Sequence, residues 1–273
     1  MRAVLTTAAC LALAATSGIP LRAQLRNNTE KTLTCQNGYD SDRVRHCEIR
    51  EQSLASIGRL SVDSSPNGGT TVKGWLRSDV LVRARIEAAA DNQNDAQFLA
   101  RQVSIDGSGG QVRAMGPQSA NNSWWSVSYE IFVPQVTDLT VKTNNGGITI
   151  SDVRGQIRFD ATNGGVHLKR LAGDVSGATV NGGIQAELTG VMWDGRQLEL
   201  TTHNGGVNLV MPQSYAAHLQ AETGMGNIHS DFPIGMDPNT RSHKVDSNIG
   251  AGGPLIHITT GNGGVNIKRA ESQ

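Results

Sequence analysis

The sequence predicts an all-β fold: a β-solenoid or β-roll-like repeat with Asn-Gly-Gly turns, preceded by an N-terminal β region with one short helix. Asn-Gly-Gly occurs five times in the C-terminal half, apolar residues alternate on both sides of each copy, and glycine makes up 32 of the 273 residues. Excess glycine with only 18% charged residues indicates tight turns rather than disorder. The copies are Asn145-Gly146-Gly147, Asn163-Gly164-Gly165, Asn181-Gly182-Gly183, Asn204-Gly205-Gly206 and Asn262-Gly263-Gly264.

The spacing of these copies suits a solenoid coil. The first three follow each other at 18 residues, and turn signals at Arg154-Gly155 and Ala172-Gly173 fall about halfway between them. Two strands and two turns make one coil, which would advance by about 4.8 Å. Glycine at the turn is expected to supply a positive φ. An antiparallel meander is the alternative, because Asn-Gly is also a strong hairpin signal.

The alternation divides each strand between a core and an outer surface. The position two before each asparagine is in phase with the apolar row, so we expect these small residues to stack inside the corner. They are Thr143, Ala161, Thr179, Thr202, Thr223 and Thr260. The polar residues after each turn should form an outer ladder of Thr149, His167, Gln185, Asn208, His229 and Asn266. A degraded copy, Thr223 to Ile228, lies between the last two copies, where a solenoid stacked in chain order would place it.

Residues 1–23 have the pattern of a secretory signal peptide. Met1-Arg2 precedes an apolar run from Ala3 to Ala15, which a helix-breaking segment follows. The run is too short to span a bilayer, and no second run of membrane length follows. We therefore expect export to the periplasm, cell surface or extracellular space, with no transmembrane segment after signal cleavage.

Residues 24–50 form a polar lead-in with two cysteines. An exported chain is expected to pair Cys35 with Cys47, and closing so short a loop stabilises by about 2–3 kcal/mol. The competing interpretation is a metal site completed by His46, but this spacing matches no standard zinc pattern.

Residues 51–135 are predicted to be a separate N-terminal β region, and residues 136–273 the repeat domain. Strand signals on both sides of Asn67-Gly68-Gly69 make a loose copy of the later unit. One helix is predicted from Asp91 to Arg101, capped by Asp91 or Asn92. Its apolar stripe would be Ala96, Leu99 and Ala100.

Two insertions lengthen the later intervals between turns, and insertions in solenoids often carry the binding surface. The first contains Met192-Trp193-Asp194-Gly195-Arg196, and the second runs from Phe232 to Pro254. A partly exposed Trp193 would stack on a sugar. The alternative is a tryptophan that seals the edge of the core.

No catalytic motif is present, and no cofactor is expected. Carboxylates are scattered along the repeat without an evident pair of the kind that glycoside hydrolysis requires. They are Asp152, Asp160, Asp174, Glu187, Glu199 and Glu222. The turns lack the aspartates of calcium-binding β-rolls, and His167 and His229 lie on different coils, so no metal site is predicted. Zero net charge argues against a nucleic-acid partner.

The Thr-x-Asn-Gly-Gly units, Phe232-Pro233, Gly252-Gly253-Pro254 and the final Asn-Gly-Gly-Val-Asn-Ile resemble the bacterial putative-adhesin family, a β-strand-repeat domain of unknown function. Cys47-Glu48-Ile49-Arg50 and Gly74-Trp75 are similar to exported members. The resemblance implies a β-repeat fold at the cell envelope and supplies no catalytic residues.

The sequence therefore favours an exported, non-catalytic β-repeat protein of the cell envelope with adhesin-like surface or matrix binding. The predicted contact residues for an envelope glycan are Gln185, Asn208, His167, His229 and Trp193. The alternative is a structural or signalling accessory of envelope stress that binds another envelope protein. A polysaccharide-acting enzyme is the second alternative.

Overall fold

The computed structural model describes residues 31–36, 38–40, 42–119, 122–234 and 243–271. The predicted signal peptide at residues 1–23 lies outside the described residues. Within these ranges, no helix is long and apolar enough to cross a membrane.

The first part of the described chain combines strands with one α-helix and one 3-10 turn. In order, the elements are β1 (Gly38–Asp40), β2 (Arg43–Ala55), β3 (Arg59–Asp63), β4 (Thr70–Trp75), β5 (Asp79–Ala90), α1 (Gln93–Gln102), β6 (Ser104–Asp106), the 3-10 turn Ser108–Gly110, β7 (Gln111–Met115) and β8 (Trp124–Pro134).

The second part forms strands alone in the described ranges. These are β9 (Asp138–Asn145), β10 (Ile148–Ser151), β11 (Arg154–Asn163), β12 (Val166–Lys169), β13 (Ala172–Asn181), β14 (Ile184–Glu187), β15 (Gln197–Asn204), β16 (Val207–Met211), β17 (Ala217–Met225), β18 (Ile228–Ser230), β19 (Lys244–Ile249), β20 (Leu255–Asn262) and β21 (Val265–Arg269).

The described strands form two sheets. The first sheet has eleven strands in the order β1-β2-β5-β8-β4-β10-β12-β14-β16-β21-β18, and the second has ten in the order β19-β17-β20-β15-β13-β11-β9-β3-β7-β6. The strand before each Asn-Gly-Gly turn belongs to the second sheet, and the strand after it belongs to the first. Equivalent residues of successive coils pair in parallel, as Ile148 does with Val166. The solenoid prediction is therefore confirmed. The meander is wrong, because the two strands that flank a turn lie in different sheets.

The core lies between the apolar rows of the two sheets. Ile148, Ile157 and Ile184 are at most 1% exposed. The corner residues are buried as predicted, and their hydroxyls have partners that the alternation did not predict. Thr179 donates a hydrogen bond to the carbonyl oxygen of Gly164 at 2.9 Å, and Thr202 donates one to Gly182 at 2.7 Å. These bonds satisfy turn carbonyls of the neighbouring coil, which would otherwise lie beside the core without a donor.

The first glycine of each turn is required for close stacking. At Gly146, Gly164, Gly182 and Gly205 the φ lies outside the left-handed region, so the predicted reason for glycine is wrong there, whereas Gly263 has the predicted positive φ, at 156°. A Cβ at Gly164 would lie 2.0 Å from the carbonyl oxygen of Gly146. A Cβ at the second glycine, Gly165, would meet only ordinary contacts, the nearest at 3.6 Å. The first position therefore excludes a side chain, whereas Gly165 has room for one; the second position is tighter at Gly183 and Gly206, where the nearest atom would lie at 3.2 Å and 3.0 Å.

The asparagine side chains form a continuous chain of hydrogen bonds along the turns, called here the asparagine ladder. Each Nδ2 donates to the Oδ1 of the preceding asparagine at 2.7–2.9 Å. In spatial order the ladder contains Asn67, Asn145, Asn163, Asn181, Asn204 and Asn262. An in-register parallel stack brings identical amides together, and an amide can both donate and accept.

The loose N-terminal copy forms the first coil of the solenoid. Leu60 pairs with Leu139 in the second sheet, and Thr70 pairs with Ile148 in the first. This prediction is confirmed. The helix is also confirmed: Asn92 is its N-cap and accepts a hydrogen bond from the Asp95 amide at 3.0 Å. Its buried side chains are Ala96, Leu99 and Ala100.

The C-terminal coils do not stack in chain order. The final copy, β20 and β21, pairs on one side with β15 and β16 and on the other side with β17 and β18. The degraded copy therefore forms the end of the solenoid, and the expectation that it lies between the last two copies is wrong. Phe232 and Ile234 follow it and are each 5% exposed in the core. In the second sheet, β19 pairs antiparallel with β17 beyond this copy, whereas the final copy pairs in parallel on both of its sides.

The lead-in is bound to the outer face of the first sheet by a disulfide and a buried carboxylate. The predicted Cys35–Cys47 disulfide is present. Glu130 is 1% exposed and accepts hydrogen bonds from Lys73 at 2.8 Å and from the Thr32 amide at 2.8 Å. Arg83 also contacts it. Burial would raise the pKa of Glu130, but the bonds from Lys73 and Thr32 outweigh it and lower the pKa to about 2.

Candidate functional site

The predicted contact residues, Trp193 excepted, lie on the outer face of the first sheet. Pairing across the sheet places His167, Gln185, Asn208, Asn266 and His229 side by side in that order. Asn266 donates a hydrogen bond to Asn208 at 3.1 Å, and Gln185 donates one to Glu187 at 3.3 Å. Part of the hydrogen-bonding capacity of this outer ladder is therefore used within the sheet.

The two histidines of the outer ladder are far apart. His167 lies on β12 and His229 on β18, four strand positions away across the first sheet. At about 4.8 Å per strand, the separation is about 19 Å. Among the described residues, no group of three or more metal-ligating side chains is assembled.

Trp193 belongs to the core. Its side chain is 3% exposed, and its ring nitrogen donates a hydrogen bond to the carbonyl oxygen of Gly173 at 2.9 Å. The role in sugar stacking is excluded because no ring face is open to solvent, and the alternative of a sealing tryptophan is correct. The two residues before it, Val191 and Met192, are 60% and 48% exposed.

The outer face of the second sheet contains a trough that sequence reasoning missed. Its floor is Ser176-Gly177-Ala178 on β13, and its volume is about 540 Å³. Arg158 and Asp160 on the neighbouring strand β11 form one wall of the trough. Glu199 and Thr201 on β15 form the other wall. Thr140 and Lys142 on β9 extend the first wall.

All three residues of this floor are small. Gly177 occupies an inward position that Phe159 and Leu200 fill on the neighbouring strands. A Cβ at Gly177 would lie 2.5 Å from Cγ of Phe159, so the phenylalanine ring takes the vacant space. Ser176 and Ala178 point outward and are short. The sequence signal is the small triplet Ser-Gly-Ala, where neighbouring coils have Arg-Phe-Asp and Glu-Leu-Thr.

A second hollow continues the trough across the sheet. It measures about 400 Å³, is lined by Arg59, Gln111, Asp138 and Gln156 among others, and shares Thr140 and Arg158 with the trough. Together the two depressions cross β7, β3, β9, β11, β13 and β15. They run along the solenoid axis, perpendicular to the strands, over about 24 Å at the usual strand spacing. Such a groove suits an extended ligand.

The model of the Toastrack DUF4097 family matches residues 78–268, which is most of the chain. The chain belongs to the Toastrack family. The resemblance to a putative-adhesin domain of unknown function is thereby confirmed, and with it the β-solenoid-like repeat fold. No curated protein matches the Toastrack chain.

Solved structures similar to this Toastrack chain include proteins named for adhesion. A "putative cell adhesion protein" from Clostridium sporogenes has 11% identity and a TM-score of 0.42, and the alignment covers 82% of this chain and 100% of the other. A "putative adhesin" from Bacteroides fragilis has 11% identity and a TM-score of 0.41, with 82% and 97% covered. A "putative lipid binding protein" from Parabacteroides distasonis has 12% identity and a TM-score of 0.28, with 81% and 96% covered.

The acidic residues of the trough in this Toastrack chain do not face each other. On β15, the residue in register with Asp160 is Thr201, and on β11 the residue in register with Glu199 is Arg158. Glu199 lies 3.9 Å from His257 on its other side. Two carboxylates must flank one bond for glycoside hydrolysis. Each acid of the trough instead faces a different type of residue.

Proposed function

We propose that this protein is an exported, non-catalytic binding protein of the cell envelope that holds an extended envelope glycan in the trough of the second sheet. Adhesin-like surface or matrix attachment would follow from that contact. The observation that carries the proposal is the groove itself, which spans several coils and has a floor of small residues. The Cys35–Cys47 disulfide supports export, because disulfides persist in oxidising compartments.

The chemistry of the walls supports a polar polymer. Thr140, Thr201 and Ser176 offer hydroxyls that both donate and accept, which matches the hydroxyl groups of sugars. Arg158 and Glu199 add charged hydrogen-bonding groups on opposite sides of the floor. A groove lined this way fixes a chain by many weak contacts, and their effect is multiplied along a polymer.

The test is binding of the purified protein to isolated envelopes before and after protease treatment. Binding that survives protease is expected, because a glycan remains. Ser176→Trp should fill the trough and reduce this binding at least about tenfold, the consequence of losing about 1.4 kcal/mol. The matched control is the double variant Gln185→Ala/Asn208→Ala on the other face, which should bind as before. Loss in the control and not in Ser176→Trp would assign binding to the outer ladder and refute the trough.

A second candidate function is that of an accessory with a protein partner. The exposed Val191 and Met192 beside the buried Trp193 favour it, since adjacent exposed apolar side chains mark protein contacts. Protease treatment of the envelopes would then abolish binding. Val191→Ser/Met192→Ser would weaken it, while Ser176→Trp would not.

A further inference from the structure

Two arginines of the groove have no partner in the described part of the chain. The guanidinium groups of Arg59 and Arg158 lie within ion-pair or hydrogen-bonding distance of no other described side chain or carbonyl, and both residues are exposed. The other described arginines, except Arg101 in the last turn of α1, have a carboxylate, an aromatic ring or another group as partner. The unpaired arginines are thus concentrated at the groove.

Both arginines line the same hollow. Arg59 lies on β3 and Arg158 on β11, on either side of β9 and offset by two residues along the strands, so their Cα atoms are separated by about 12 Å. Two guanidinium groups at that spacing can converge on one anionic group or hold two successive ones. Lys142, also without a partner among the described residues, continues the row of cations into the trough.

Asp138 lies in register with Arg59, and Lys142 lies between Asp63 and Asp160, but none of these described acids lies within ion-pair distance of the three cations. Asp138 accepts a hydrogen bond from the Gln156 amide at 2.8 Å, so one of its oxygens is occupied by the turn. Glu199 lies on the far wall beside His257. Asp160 lines the trough but not the second hollow, where Asp138 is the acid among the lining residues. The positive character is therefore strongest in the second hollow, at the end of the groove towards β7.

We propose that the glycan held by the groove is acidic, and that Arg59 and Arg158 bind its carboxylate groups in the second hollow. This inference rests on the proposed function. Guanidinium groups bind carboxylates in a bidentate, charge-assisted geometry, which a neutral sugar does not provide. A uronic-acid polymer carries one such group on each residue, so an extended chain would present a carboxylate to each arginine in turn.

The experiment compares polygalacturonate with its fully methyl-esterified form, which keeps the sugar backbone and removes the charge. Binding to the full-length protein is measured by titration calorimetry at low salt and at 0.5 M NaCl. We expect the acid form to bind at least about tenfold more tightly than the ester, with the difference reduced by salt. Arg59→Gln/Arg158→Gln should remove the preference. Arg101→Gln, which removes another unpaired exposed arginine, should retain it.

Each other outcome overturns a defined part of the proposal. Equal binding of acid and ester that Ser176→Trp abolishes would refute the acidic ligand and leave the glycan groove standing. Binding of inorganic polyphosphate as tight as that of polygalacturonate would show a general polyanion site and refute the assignment to carboxylates. No binding of either polymer, together with no protease-resistant binding to envelopes, would refute the proposed function and this inference with it.

Discussion

The two corners of the solenoid solve the same stacking problem with different chemistry. At the Asn-Gly-Gly corner, every coil except the terminal one presents an asparagine to an asparagine. At the opposite corner, an aspartate meets an arginine: Arg170 pairs with Asp152 at 2.6 Å, and Arg196 pairs with Asp174 at 2.7 Å. An amide complements its own copy, whereas a carboxylate repels its own copy and needs a cation.

This difference explains why one corner repeats and the other varies. A self-complementary residue can recur unchanged in each coil, so Asn-Gly-Gly is visible in the sequence. A corner built from opposite charges must alternate, and each pair is made separately. The charged corner therefore tolerates the insertion that contains Trp193, whose neighbour Asp194 pairs with Arg154. Regularity on one side leaves the other side free to diverge.

The largest expected effect comes from breaking the close stacking at the asparagine corner. Gly164→Ala places a Cβ 2.0 Å from the carbonyl oxygen of Gly146, so the turns must separate. We expect a loss of about 4 kcal/mol in the free energy of unfolding, measured by urea denaturation. Gly165→Ala is the matched control, with its nearest contact at 3.6 Å, and should cost less than about 1 kcal/mol. Equal losses from the two variants would show that the close approach of the neighbouring turn is not the reason for glycine at position 164.

Outside both corners, the buried carboxylate of Glu130 should give the second-largest effect on stability. Glu130→Gln should lower stability by about 3 kcal/mol at pH 7, because Lys73 and Arg83 would lose a buried partner. The folded pKa of about 2 lies below the ordinary 4.5, so this stability is present above pH 4.5 and is lost as the pH falls towards 2. Acid unfolding followed by circular dichroism should therefore be steeper in the native protein than in the variant.

A charge placed in the asparagine ladder tests its self-complementarity. Asn163→Asp keeps the acceptor for Asn181 but removes the donor to Asn145, which sets two oxygens against each other. We expect a loss of about 1.5 kcal/mol at neutral pH. Repulsion raises the pKa of the new carboxyl, so the loss should diminish as the pH falls below that pKa and the protonated acid donates again. A loss that is independent of pH would contradict this account.

A substitution at the charged corner should lower stability less, and this loss should depend on the salt concentration. Arg170→Gln removes the two hydrogen bonds to Asp152, but the pair lies at the surface. The expected loss is about 0.7 kcal/mol at low ionic strength, and it should nearly vanish in 1 M NaCl. The same salt should leave the effect of Asn163→Ala unchanged, which separates the chemistry of the two corners.

The smallest effect is expected where the asparagine ladder ends. Met225 occupies the asparagine position in the terminal coil, in register with Asn262, and is 69% exposed. Met225→Asn would add one amide to the ladder and raise stability by less than about 0.5 kcal/mol, detectable as a small rise in Tm. Met225→Ala is the control and should give no rise. A fall in Tm with asparagine would show that the terminal turn cannot accept the hydrogen bond.

Much of the fold was predictable because its signals are local. The spacing of the Asn-Gly-Gly copies predicted the coil, the alternation predicted the buried corner threonines, and the capping pattern predicted the helix with Asp91 or Asn92 as its cap, of which the structure uses Asn92. The candidate site was not predictable in the same way. The trough depends on which longer outward residues of β11 and β15 lie beside Ser176 and Ala178, an arrangement between strands that periodicity does not describe. The burial of Trp193 likewise depends on how the insertion that contains it packs against the core.

The sequence by itself determined the coil, its period, its corner residues and the disulfide partners, because each depends on residues close in sequence or on an identical repeat. Only the tertiary structure decided the order of the last coils. The coils that carry Asn-Gly-Gly present the same edge, so pairing alone allows the final copy to occupy either the inner or the outer position. The segment after the degraded copy settles the order, because its strand β19 pairs antiparallel with β17 and occupies the edge on which a further coil would stack.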